Sequence, residues 1–168
     1  MKVVAVGPDT RIPGSLNAAP KTVLLLEFQR IHDGLETVDY YPNVFENFST
    51  RLVTENGSQA DLNLWDTQGQ QGYERLRPLS YPNTDVFLLC FSLIDKSTLD
   101  DVLTTYVPEL GLHAPNARII LIGFCPEDRD ARLQAKKDVD SCTSGVKLLA
   151  SCKQLLTSKF RYSHTKVS

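Results

Sequence analysis

The chain has 168 residues, 42 % of them hydrophobic and 23 % charged, and carries a formal net charge of −2. That length suits a single domain with a real core, and the balance excludes a disordered chain and gives no basic footprint for nucleic acid. No stretch is apolar for long enough to span a bilayer, and the opening run Met1 to Gly7 is too short for a secretory signal, so a cytoplasmic setting is expected.

Lys2 to Gly7 is a Val-rich run that ends on glycine, the pattern of a strand covered on both faces. The segment Pro8 to Pro20 is Pro-rich and without period, and reads as an irregular loop. Lys21 and Thr22 then open a helix, expected over Thr22 to about Ile31 with Leu24, Leu25 and Phe28 on one face. Strand, loop, Lys-Thr and helix in that order is the setting of a phosphate-binding loop. The motif Gly-x-x-x-x-Gly-Lys-Ser/Thr is nevertheless altered, because thirteen residues separate Gly7 from Lys21 and Pro20 stands where the motif has its second glycine. Such a loop aims successive backbone N–H groups at phosphates, whereas proline has no N–H and cannot take positive φ. A plain surface loop and a rebuilt phosphate loop stand as equal readings of residues 8–20.

Asp33 to Asn43 is polar and loop-like, and Val44 to Val53 is expected to be a strand. The turn signal Asn56-Gly57 pairs it antiparallel with a strand over Gln59 to Trp65. Asp66-Thr67-Gln68-Gly69 then puts an acid at a strand end and glycine in the polar loop after it, a good place for a metal and a phosphate. Asp85 to Leu93 reads as a central buried strand. Ser97 to Leu112 reads as a helix with Ser97 as N-cap candidate and Leu99, Val102, Leu103 and Tyr106 on one side, bent or frayed by Pro108. Arg118 to Gly123 is the next parallel strand, 129–143 a solvated charged helix, Gly145 to Leu156 an amphipathic helix, and Phe160 to Tyr162 the start of a last strand. Cys90, Cys125, Cys142 and Cys152 lack Cys-x-x-Cys spacing and read as reduced structural thiols. His32, His113 and His164 are isolated and receive no catalytic role. Nothing divides the chain, so residues 1–168 form one domain.

Two stretches carry a resemblance. Trp65-Asp66-Thr67-Gln68-Gly69-Gln70, with Arg75-Leu76-Arg77-Pro78-Leu79-Ser80-Tyr81-Pro82 after it, closely resembles the second switch region of Rho-type small GTPases, Trp-Asp-Thr-Ala-Gly-Gln followed by Arg-Leu-Arg-Pro-Leu-Ser-Tyr-Pro. Tyr41-Pro42-Asn43-Val44-Phe45-Glu46-Asn47-Phe48 is similar to the Rho effector loop, Pro-Thr-Val-Phe-Glu-Asn-Tyr. The resemblance implies an α/β P-loop NTPase G domain, a doubly wound, mostly parallel sheet with one antiparallel hairpin strand and ligand chemistry at the carboxyl ends of the strands. It implies GTP or GDP and Mg²⁺ as cofactors, with Gly7 and Lys21 at the phosphates, Thr22 and Asn43 as Mg²⁺ ligands and Asp66 supporting the metal. Gly69 would meet the terminal phosphate through its N–H, Gln70 would orient attacking water, and Glu127 would face guanine. Residues 129–143 correspond to the helical insert of Rho proteins.

Asp66, Gly69 and Gln70 keep the family's residues, but the chain departs from that pattern at other contacts. Asn43 replaces a threonine, and its longer arm alters what a small octahedral ion demands. Gln68 replaces a small alanine, and Phe124-Cys125-Pro126-Glu127 replaces Thr-Lys-x-Asp, so the lysine is lost and the acid lengthened. After Tyr162 the family's guanine-touching loop, final helix and prenylated cysteine have no counterpart before Ser168. The expected domain therefore lacks its final helix and a lipid anchor. It exposes an apolar strip on the order of several hundred Å², open to a partner or self-association. Two functions follow. One is a Rho-type signalling protein with weak or lost GTP binding and hydrolysis, offering Val44 to Phe48 and Tyr73 to Arg77 to effectors or regulators of Rho signalling. The other is a working GTP-binding switch with slow hydrolysis.

Overall fold

The computed structural model describes residues 1–9, 19–34, 47–53, 57–69, 72–124 and 162–164. The Val-rich opening run is strand β1 (Lys2–Val6), and its neighbours explain its composition. It lies between β3 (Gln59–Asp66) and β4 (Val86–Ser92), parallel to both, inside a six-stranded sheet of order β2-β3-β1-β4-β5-β6. β2 (Phe48–Val53) is the antiparallel member, paired with β3 from Phe48↔Leu64 to Val53↔Gln59, while β5 (Arg118–Phe124) and β6 (Tyr162–His164) extend the parallel run. Gly57 takes φ 80° at the β2–β3 connection, a left-handed turn conformation that glycine reaches without a Cβ penalty.

Alternate residues of β1 feed two different cores, as the period of a strand requires. Val3 and Ala5 face Leu62, Leu64 and Leu25, the last from helix α1 (Pro20–His32). Val4 and Val6 face the other way, into a cluster with Phe87, Leu89, Leu99 and Val102. Helices thus cover both faces of the sheet, which is the doubly wound arrangement expected for a P-loop G domain. On α1, Leu26 rather than Leu24 joins Leu25 and Phe28 against the sheet. The second layer is α2 (Lys96–Asp101), a π-helical turn (Val102–Tyr106) and α3 (Val107–His113). The wider turn comes just ahead of Pro108, whose ring would crowd the carbonyl four residues back; Val107 N–H bonds instead to Val102 O.

Several boundaries move by a residue or more relative to expectation; α1, for one, begins at Pro20 rather than Thr22. The N-cap of α2 is Asp95, not Ser97: Asp95 is extended (φ −132°), and its Oδ1 accepts from the Ser97 N–H at 3.0 Å and from the Ser97 hydroxyl at 2.7 Å. An aspartate in that position satisfies the orphan N–H groups of the first turn, so the helix starts earlier. The strand expected from Val44 begins at Phe48, with 44–46 outside the described residues. The expected helices over 129–143 and 145–156 also lie outside them, together with Cys125, Cys142 and Cys152. Cys90 is a free, buried thiol, as its place in an apolar strand suggested. Among the described residues no helix is long and apolar enough to cross a membrane.

Candidate functional site

At the carboxyl end of β1 the chain turns at Gly7, with φ 146°, directly over β4. A Cβ built there would stand 2.3 Å from the carbonyl oxygen of Cys90, so no other residue fits without moving a central strand. Gly7, the glycine expected at the phosphates, is thus required by packing alone. Pro8 and Asp9 follow it. The chain next described begins at Ala19, and Pro20 opens α1 in the first turn, where its missing N–H is tolerated. Side chains of a first helical turn lean back toward the helix N-terminus. Lys21 and Thr22 accordingly reach the strand ends, and both are buried.

There they meet the acid at the end of β3. The Thr22 hydroxyl donates to Asp66 Oδ2 at 2.5 Å, and the other oxygen, Oδ1, accepts from the N–H of Thr67 at 2.9 Å. Thr67 fixes the start of the following loop by donating its hydroxyl to Ala5 O at 2.7 Å. Burial raises the pKa of Asp66 above the ordinary carboxylate value, against the pull of Lys21, Thr22 and the Thr67 N–H. Burial likewise lowers that of Lys21, with Asp66 working in the opposite direction.

The residue that sequence reading missed is Asp9. One of its carboxylate oxygens, Oδ1, lies against Lys21 Nζ; the other, Oδ2, accepts from the N–H of Gly69 at 2.8 Å. A Cβ on Gly69 would stand 2.2 Å from Gly7 O and 2.7 Å from Asp9 N, so the loop after β3 rests directly on the backbone after β1. The only sequence signal for this contact was an acid two residues beyond a strand-ending glycine.

A second group of polar side chains holds the same loop from behind. Arg77, in a short 3₁₀ turn (Arg77–Ser80), donates from Nε and Nη2 to Glu109 Oε1 and Oε2 at 2.9 and 2.7 Å, and from Nη1 to Gln68 O at 3.1 Å. Its guanidinium carbon sits 4.5 Å from the centre of the Tyr106 ring, while the Tyr106 hydroxyl donates to Gly69 O at 3.1 Å. The Tyr81 hydroxyl donates to Glu109 Oε1 at 2.5 Å. Burial opposes the charge of Arg77, but its hydrogen bonds to Glu109 and the neighbouring charges outweigh that and move its pKa up. Arg77, expected at a partner-facing surface, is only 4 % exposed and is an internal support. Tyr73, Leu76 and Leu79 are the exposed large apolar residues of this stretch.

Residues 16–150 match the model of the family described as Ras family. The chain belongs to the Ras family. Membership accounts for the sheet order, and Ras-family domains bind GTP or GDP with Mg²⁺; in this chain Lys21, Thr22, Asp66 and Gly69 converge at one end of the sheet. Of the predicted site residues, the Ras-type fold here brings together Gly7, Lys21, Thr22, Asp66 and Gly69. Gln70, Asn43 and Glu127 lie outside the described residues. The donor set fits the cofactors in one half only. Thr22 and Asp66 form the hydroxyl and carboxylate pair that a Mg²⁺ ion would share, directly or through water. The phosphate half does not fit, since the Lys21 ammonium and the Gly69 N–H already share the Asp9 carboxylate. Among the described residues no three His, Cys, Asp or Glu side chains gather as a metal cluster.

Proposed function

We propose that this Ras-family chain is a Rho-type signalling protein in which GTP binding and hydrolysis are weak or lost, acting in the cytoplasm through its switch-like surface on effectors or regulators. The observation that carries this reading is that the backbone at 67–69 is supported by the protein's own groups. Ala5 O takes the Thr67 hydroxyl, Arg77 holds Gln68 O, and Tyr106 and Asp9 hold the two sides of Gly69. A loop braced this way keeps its shape without nucleotide, and it presents Tyr73, Leu76 and Leu79 to a partner. The substitutions Pro20, Asn43, Cys125 and Glu127 point the same way. Losing three charge-assisted contacts of roughly 1.5–3 kcal/mol each removes about 5–9 kcal/mol, roughly four to six decades of affinity.

A second reading, a working GTP-binding switch with slow hydrolysis, rests on the Thr22–Asp66 pair beside the buried Lys21. Isothermal calorimetry with GTP and Mg²⁺, repeated on Lys21→Ala, separates the two. No heat at high protein concentration is the expected result. Micromolar or tighter binding that Lys21→Ala abolishes would sink the first reading and establish the second.

A further inference from the structure

We infer that the Asp9 carboxylate is a built-in stand-in for a phosphate group, filling the seat between Lys21 and Gly69 and competing with any oxyanion that would enter there. The inference rests on the proposed reading to the extent that positions 21 and 69 are taken as phosphate-contacting. The geometry is that of an anion clamped at both ends, with one oxygen on the Lys21 ammonium and the other on the Gly69 N–H at 2.8 Å. Lys21 is 2 % exposed and the Asp9 side chain 15 %, so this is an interior contact and not a passing surface pair.

Space and charge argue in the same direction. The loop at Gly69 approaches so closely that an added Cβ would lie 2.8 Å from Asp9 Oδ1 and 2.2 Å from Gly7 O, so among the described residues the carboxylate holds the space beside the Gly69 N–H. Lys21 is one positive charge between two acids, Asp9 in contact and Asp66 beside it, so the three groups sum to −1 when all are ionised (+1 −1 −1). A polyanion meets net repulsion there, whereas the same corner without Asp9 is neutral and has a free ammonium and a free N–H. Those are the two donor types that bind a phosphate oxygen. Asp9 thereby draws the β1 and β3 ends together as a ligand would, and a terminal phosphate enters only by displacing it.

The test uses the full chain and inorganic phosphate, which needs no guanine recognition. Thermal unfolding of wild type, Asp9→Gly and Lys21→Ala/Asp9→Gly is followed against phosphate, with sodium chloride at matched ionic strength as control. The expected result is that Asp9→Gly melts lower than wild type and is restored saturably by phosphate, with no restoration in the double variant and no phosphate-specific shift in wild type. Equal phosphate responses in wild type and Asp9→Gly, or restoration that survives the loss of Lys21, overturn the inference. Should Asp9→Gly not fold, Asp9→Asn keeps the shape without the charge. Its Gly69 amide proton resonance is expected to move upfield from the wild-type position, and an unmoved resonance overturns the inference. GTP binding to wild type that depends on Lys21 sinks the proposed function alone, while failure of phosphate to restore Asp9→Gly, where wild type gives no GTP heat, sinks the Asp9 inference alone.

Discussion

Two buried cations brace the same loop, and although burial disfavours the charge of both, their pKa values move in opposite directions. Arg77 and Lys21 are both almost without exposure. The pKa of Arg77 is nonetheless raised, whereas that of Lys21 is lowered. The difference lies in the number and geometry of partners. Arg77 presents a planar fork to both oxygens of Glu109, a third donor to Gln68 O and its face to Tyr106. Lys21 is a point charge with Asp9 in contact and Asp66 nearby, and desolvation dominates its balance. The Arg77 corner is therefore a permanent structural clamp. The Lys21 corner is a site whose ionic partner can be exchanged.

The largest expected effect tests that contrast directly. Arg77→Ala leaves Glu109 buried with only the Tyr81 hydroxyl, and it should lower the unfolding free energy in urea by about 3–5 kcal/mol. Arg77→Lys should recover little, because an ammonium cannot span both carboxylate oxygens. Asp9→Asn should cost less, about 1–3 kcal/mol, because Lys21 retains Asp66. Equal losses for Arg77→Ala and Asp9→Asn would erase the distinction between clamp and exchangeable site.

Gly7→Ala ranks between Arg77→Ala and Asp9→Asn. It forces a positive-φ position onto a residue with a Cβ that would stand 2.3 Å from Cys90 O, and a loss on the order of 3 kcal/mol is expected in the same urea experiment. A near-neutral Gly7→Ala would mean that β4 can yield, and that Gly7 answers to a ligand rather than to packing.

These two positions also show what was legible in the sequence. The fold was, because each strand of the centre is written in its own residues. Val3 to Val6 is apolar on both faces since α1 covers one and α2–α3 the other, and Asn56-Gly57 announces the antiparallel pair. The meeting of Lys21, Thr22, Asp66 and Gly69 at one end of the sheet was legible as well, since each sits at a strand or helix end whose position the pattern fixes. Asp9 was not, because it lies in an aperiodic Pro-rich segment where spacing carries no information; it also lies outside the 16–150 family match. Glu109 was hidden for a different reason. It reads as an exposed helix acid until the fold brings Arg77, 32 residues earlier, against it. Arg77 itself was misplaced on the surface by the same logic, as a charged side chain is assumed solvated until a partner for it is known.

Tyr106→Phe should have a smaller effect. It removes the single hydroxyl on Gly69 O and keeps the ring under Arg77, so about 1 kcal/mol of stability is at stake. A loss as large as that of Arg77→Ala would show that the two supports form one cooperative network rather than separate contacts.

The smallest effect at neutral pH, and the most specific to the Lys21 corner, concerns Cys90. Its thiol is pushed up to about 12 by burial, with Lys21 pulling down and Asp66 pushing up. Because the folded value lies above the ordinary 9.0, the thiol is protonated in both folded and unfolded chains below pH 9, and its contribution to stability is then complete. As pH rises from 9 through 12 the unfolded chain loses that proton first, and the folded state is progressively disfavoured. The stability difference between wild type and Cys90→Ala should therefore be constant from pH 7 to 9 and turn against wild type above it, by roughly 1.4 kcal/mol for each pH unit crossed. Lys21→Ala removes the positive charge that eases ionisation of the thiol, so in that background the decline should continue to higher pH. A decline that ends at the same pH with and without Lys21 would mean that the ammonium, whose own pKa burial lowers from 10.5, has lost its proton before the thiol ionises.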